Sequence, residues 1–162
     1  MGREIYGIIR NTKTKEVVWD SAEKEDMFVC GRDEATTHVA SMAYRDYDDI
    51  KEDDDYYQCL IPFDGNKQGY LYDEVHDYYL RDMKEIQKAK DALEDLRIAR
   101  RNVQTAEEFK NFSDMMDDTE DWIRENDWSR AGHLLEILDR MLEVYEALPD
   151  KTDLKMYLVN SE

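Results

Sequence analysis

Cysteine, proline and glycine are all scarce in this chain of 162 residues, at two, two and six copies. Cys30 and Cys59 form no CxxC pair and no metal-ligand spacing, which excludes a disulfide scaffold and a zinc ribbon. Two unpaired thiols fit a reducing cytoplasm, the compartment expected here. With so little glycine and proline there is little material for flexible linkers. A single domain over 1–162 is therefore expected: residues 1–70 mainly sheet plus one short helix, 71–148 helical, and 153–160 a returning strand. No run of 18 apolar residues occurs, so no membrane span is expected. The first residues, MGREIYGIIRN, lack a long apolar core, and Ile5-Tyr6 do not supply the hydroxyl residue that a myristoylation motif needs after Gly2. The patterns GxSxG, GxxxxGK[ST] and GxGxxG are all missing.

Positive charge is the other shortage. There are 22 bases against 40 acids, a formal net charge of -18. Such a surface repels nucleic acid and anionic membrane, and it attracts basic proteins, including the grooves of proteins that handle DNA or RNA. The chain is nonetheless built to fold. Hydrophobic residues make up 41%, with 3 Trp, 11 Tyr and 8 Met spread along it.

The run EIYGIIR (4–10), the polar turn Asn11–Thr14 and Glu16–Trp19 predict a β-hairpin, in which Gly7 marks a bulge or a close approach of backbone. After the segment SAEKED and the apolar run 27–30, Asp33 is a suitable N-cap for a helix over about 33–46. Residues 46–55 hold seven acids and one Lys without apolar period and predict an exposed loop. Residues 56–63 predict a strand. A long helix follows over about 72–103, with Val75, Tyr79, Met83, Ile86, Leu93 and Leu96 on one side and room for a kink near its middle. Thr105 and Glu108 form a capping box that opens the next helix, and a third helix, rich in Leu and Ile, ends before Pro149. Leu154, Met156 and Leu158 alternate with Lys155, Tyr157 and Val159, a strand expected to return to the N-terminal hairpin. Helices collect after the strands instead of alternating with them. The fold class is α+β: a small antiparallel sheet (N-terminal hairpin, a middle strand, C-terminal strand) packed on a C-terminal three-helix region.

Two metal readings come to little. Asp64, Asn66, Gln68 and Gly69 fall at calcium-loop positions, but the twelfth position is Val75 and a strand precedes the loop. His38 with His76-Asp77 carries elements of a metal phosphohydrolase, and Glu34 and His38 lie at i,i+4; neither set has the remaining ligands. No metal or cofactor is expected.

Two surfaces invite a partner instead. Eight of the eleven tyrosines lie between Tyr44 and Tyr79, interleaved with the acids of 46–55. Tyrosine supplies a large, stiff contact with a polar tip, and neighbouring acids steer a basic partner. Asp48, Asp49, Asp53, Asp54, Asp55 and Tyr56 are the candidates there. The second surface is on the helix 105–127. Phe109, Phe112, Met116 and Ile123 share one side, expected to clamp onto the third helix. Glu107, Asp114, Asp118, Asp121 and Glu125 form a row about 200° away, a rigid line of carboxylates able to imitate phosphate charge. Charge is also sorted between neighbours: 81–101 has seven bases and five acids, whereas 107–127 has nine acids and two bases. Attraction between adjacent helices accounts for part of such sorting.

The expected function is that of a non-enzymatic acidic binding protein which inhibits or regulates a nucleic-acid-handling enzyme by presenting carboxylates to a basic groove. Its partner would be a basic protein such as a nuclease, with no direct nucleic acid, no membrane, and self-association left open. Small phage or mobile-element inhibitors of restriction or CRISPR nucleases share this size and charge, a likeness of composition only. The alternatives are a general interaction module, such as an immunity or adaptor protein bound through apolar and Tyr contacts, and a metal-dependent hydrolase or calcium binder.

Overall fold

A computed structural model describes residues 3–31, 33–42, 59–65, 70–126 and 129–161. In chain order the elements are β1 (Arg3–Asn11), β2 (Val17–Asp20), α1 (Ser21–Glu25), β3 (Val29–Gly31), α2 (Glu34–Ser41), β4 (Cys59–Phe63), α3 (Tyr70–Arg101), α4 (Ala106–Asn126), α5 (Arg130–Ala147) and β5 (Leu154–Ser161). The architecture is α+β, a small antiparallel sheet of five strands packed against helices. The chain divides into two compact units, Met1–Tyr78 with Arg130–Glu162, and Tyr79–Ser129.

The first unit is built on β1 and β5. These strands pair antiparallel without interruption from Glu4 opposite Ser161 to Asn11 opposite Leu154. The sheet order is β2-β1-β5-β4, and β3 also pairs with β1, along its N-terminal half. The hairpin turns where the sequence placed it. The Asn11 side chain accepts hydrogen bonds from the backbone N–H groups of Lys13 and Thr14, each at 2.9 Å, which closes the turn. The segment after β2, which has no clear period, forms the short helix α1. The Asp20 carboxylate caps it by accepting from Ala22 N (2.8 Å) and Glu23 N (3.1 Å), and Asp26 in the left-handed region ends it. Asp33 caps α2 as expected, accepting from Thr36 N, and the helix is described from Glu34 to Ser41.

Gly7 is the close approach that its position in β1 implied. A Cβ there would lie 3.1 Å from Ile137 Cγ2 and 3.2 Å from Met141 Sδ, both on α5, while its N–H donates to Ser21 Oγ at 2.8 Å. The helix therefore presses on the sheet at a residue with no side chain. Ala131, Leu134, Ile137, Leu138 and Met141 of α5 are all buried. Arg140 on the same helix donates to Glu25 of α1 at 2.6 Å, and this charged acceptor raises the guanidinium pKa above its ordinary value. Gly7→Val should cost about 1–3 kcal/mol by overpacking, read as a lower urea midpoint with an unchanged slope. In β5 both sets of alternating residues are buried, from Met156 through Asn160, as in a strand with both faces covered.

The second unit is an antiparallel pair, residues 79–101 of α3 with α4. Asp82 accepts from Ser129 Oγ at 2.8 Å, Arg97 faces Glu120 at 3.7 Å, and Arg100 reaches Ser113 Oγ at 3.4 Å. These pairings run in opposite chain directions, as two helices joined by a short turn must. Helix α3 is continuous through its middle, without the break its length allowed. Thr105 Oγ1 accepts from Glu108 N at 3.1 Å, the expected cap of α4. Ile86, Leu93 and Met116 are buried, and Phe112 and Ile123 are half-buried. Within this unit, on the Phe/Met side of α4, Arg100 of α3 sits 5.2 Å above the Phe109 ring. Sequence neighbours joined by four residues close this contact at little entropic cost.

Candidate functional site

The outer face of α4 is the strongest candidate. Thr105 fixes its start, and Glu107 and Glu108 in the first turn and Arg124 in the last suit the helix dipole. Around a helix, Glu107, Asp114, Asp118, Asp121 and Glu125 fall within about 60° of one another, opposite buried Met116. All five are exposed. The row is about 27 Å long at 1.5 Å per residue. Asp121 is paired with Arg124 one turn on; Glu107, Asp114, Asp118 and Glu125 make no ion pair among the described residues.

This arrangement is unfavourable for the helix itself. Asp114–Asp118, Asp118–Asp121 and Asp121–Glu125 are like charges at i+3 or i+4, each costing about 0.2–0.5 kcal/mol. Glu125 in addition faces the negative end of the dipole. Attraction to α3 offsets little of this, since the described cross-helix ion pair, Arg97 to Glu120, lies toward the packed side. Lys84, Lys88, Lys90 and Arg101 of α3 have no ion-pair partner among the described residues either.

Two side chains beside the row carry information that the acids do not. Met115 is 51% exposed and Trp122 is 38% exposed. They are seven residues apart, so they share a face, with Asp118 between them and Glu125 one turn beyond Trp122. Large apolar groups set among carboxylates form a patch with both an anchor and a charge field. Their spacing in the sequence was the available signal; it reads equally well as a packed seam.

The other candidates fare differently. Asp48, Asp49, Asp53, Asp54, Asp55 and Tyr56 lie outside the described residues, as do Tyr44, Tyr47 and Tyr57. Tyr70 is 68% exposed, while Tyr72, Tyr78 and Tyr79 are half-buried. His38 does not meet His76-Asp77. Its Nε2 lies 3.1 Å from Glu74 Oε2, off the line of a hydrogen bond, and its ring sits 5.3 Å from that of Tyr78. His76 stacks on Tyr72, which is one turn away on its own helix. Among the described residues no group of three or more His, Cys, Asp or Glu is placed to hold a metal ion. Of the calcium-type loop, residues 66–69 lie outside the described residues; β4 leads into it, and Val75 at its twelfth position is fully buried. Cys30 is an exposed free thiol. No described helix is long and apolar enough to cross a membrane.

No family model matches the chain, and neither the curated proteins nor the solved structures contain a match to it.

Proposed function

We propose that this chain is a non-enzymatic binding protein that occupies a basic surface of a nucleic-acid-handling enzyme and thereby inhibits or regulates it. The observation that carries the reading is the row on α4, where the carboxylates are exposed and four of the five lack an ion pair among the described residues, although leaving them so costs the helix stability. A solubility coat needs no such alignment. A basic groove does, because charges spaced about 4.5–6 Å along a rigid axis, as from Asp114 to Glu125, meet lysines and arginines arranged for phosphates. A phage-type inhibitor of a CRISPR or restriction nuclease is one protein of this description, and the cytoplasm is the compartment in which it would work.

Exposed Met115 and Trp122 favour a second reading, an adaptor or immunity-type module anchored by apolar contact. Salt separates the two. Affinity capture from a host lysate at about 50 mM salt should enrich basic nucleic-acid-handling proteins, and about 0.5 M salt should release them. No enrichment of such proteins at low salt sinks the first reading; retention of one partner at high salt favours the second.

A further inference from the structure

The hairpin of α3 and α4 has two unlike flanks. The ion pair of Arg97 with Glu120 marks one of them, since each residue lies about 30–40° to the same side of its helix's buried line, Ile86 and Leu93 on α3 and Met116 on α4. Lys90, Glu94, Asp117 and Arg124 turn the same way, and that flank is polar. In antiparallel helices that face each other, equal turns in one sense lead to one flank. Turning about 50–120° in the other sense brings up Ala89, Ala92 and Leu96 on α3 and Met115, Thr119 and Trp122 on α4. No charged residue falls in that sector between residues 86 and 99 or between 109 and 125. Thr119 donates its hydroxyl to Met115 O at 2.9 Å, which leaves its methyl to this surface. Ala92, Met115 and Trp122 are exposed.

We propose that this apolar flank packs on the same flank of a second copy, giving a four-helix bundle about a two-fold axis parallel to the helices. Charge selects that arrangement. The contacts of Asp82 with Ser129 and of Arg97 with Glu120 set the heights of the two helices. Leu96 is then level with Met115 and Thr119, Ala89 and Ala92 with Trp122, and Lys88 with Glu125, each within about a turn. Lys88 stands on the outer edge of α3 and Glu125 on the outer edge of α4; both are exposed and have no ion pair among the described residues. Within one chain the width of the hairpin separates them. The two-fold axis keeps every residue at its own height and sets α3 of one copy on α4 of the other. Lys88 of each copy then meets Glu125 of the other, and the pair forms twice. The charge sorting fits this too, since residues 81–101 hold seven bases and five acids and 107–127 hold nine acids and two bases. A two-fold axis across the helices would instead lay α4 on α4, acid against acid. Two helices about 10 Å across over about 25 Å of length bury about 500 Å² per copy and about 1,000 Å² in all, the lower end of specific interfaces. Asp114 and Asp121 lie further round α4 and stay open in the dimer, so the inference neither rests on the function proposed above nor competes with it.

Sedimentation velocity of the purified full chain tests it, at about 150 mM salt so that the net charge of -18 is screened beyond about 8 Å. Between about 2 and 200 µM the wild type should pass from monomer to dimer. Trp122→Gln should weaken association at least about tenfold with an unchanged circular dichroism spectrum. Lys88→Glu and Glu125→Lys should each be monomeric at about 50 µM, because each sets like charges together at both contacts. An equimolar mixture of these two variants should dimerise, because both contacts of the mixed dimer again join opposite charges. A wild type that stays monomeric at about 200 µM overturns the proposal, and so does a dimer indifferent to Trp122→Gln. Charge variants that dimerise singly like the wild type, or a mixture that stays monomeric, overturn the two-fold arrangement.

Discussion

Replacing Asp114, Asp118 and Asp121 with lysine should leave the chain folded and should remove the proposed binding to basic proteins. None of the three carboxylates is buried, and the one with an ion pair is bound only to Arg124 on its own helix. Surface substitutions of this type change stability by about 0.5 kcal/mol or less each, so Tm should move by no more than a few degrees. The net charge moves from -18 to -12, since three negative charges are lost and three positive ones gained. At the partner, each attraction becomes a repulsion. At about 1 kcal/mol or more per site, three reversals weaken binding by at least about 100-fold at low salt. Circular dichroism checks the fold and a titration with the captured partner checks the binding. Loss of both together would mean that the acids serve structure.

Ile137→Asp should do the reverse and destroy the fold. Ile137 is 1% exposed and its Cγ2 sits against Gly7. A carboxylate at this position would be buried without a partner, at a cost of several kcal/mol. A domain of this size has about 5–15 kcal/mol of net stability in all, so the loss is comparable with the whole. The expected readout is a collapsed near-UV signal and no cooperative urea transition. A cooperative transition near the wild-type midpoint would show that α5 does not carry the core of its unit.

The elements that were legible in the sequence are those with a strong period or a chemical stop signal. Asn11 closes the hairpin, Asp33 and Thr105 cap the helices they precede, and the alternation from Leu154 to Val159 marks the strand that returns to β1. The α+β class followed from the order of those segments. The unassigned pieces have short or weak patterns. SAEKE is five residues long and exists as α1 because Asp20 caps it, and β3 is three residues long and is defined by its pairing with β1. An amphipathic stripe such as the Phe/Met side of α4 says which side is covered and not by what. Phe109 is 49% exposed even though it belongs to that stripe, with Arg100 stacked above it.

The candidate face was legible in part. The phase of Glu107, Asp114, Asp118, Asp121 and Glu125 against Met116 is a property of spacing, and their exposure follows from it. That Met115 and Trp122 stand open beside them is not, since an apolar pair seven residues apart is also what a packed seam looks like.

The outer face of α4 is proposed to recognise a basic partner. Capture from host lysate with the wild-type chain and with the Asp114→Lys/Asp118→Lys/Asp121→Lys variant side by side, at about 50 mM salt, tests it most directly. The account predicts nucleic-acid-handling proteins on the wild type and their absence from the folded variant; the same proteins retained by the variant in equal amount would contradict it.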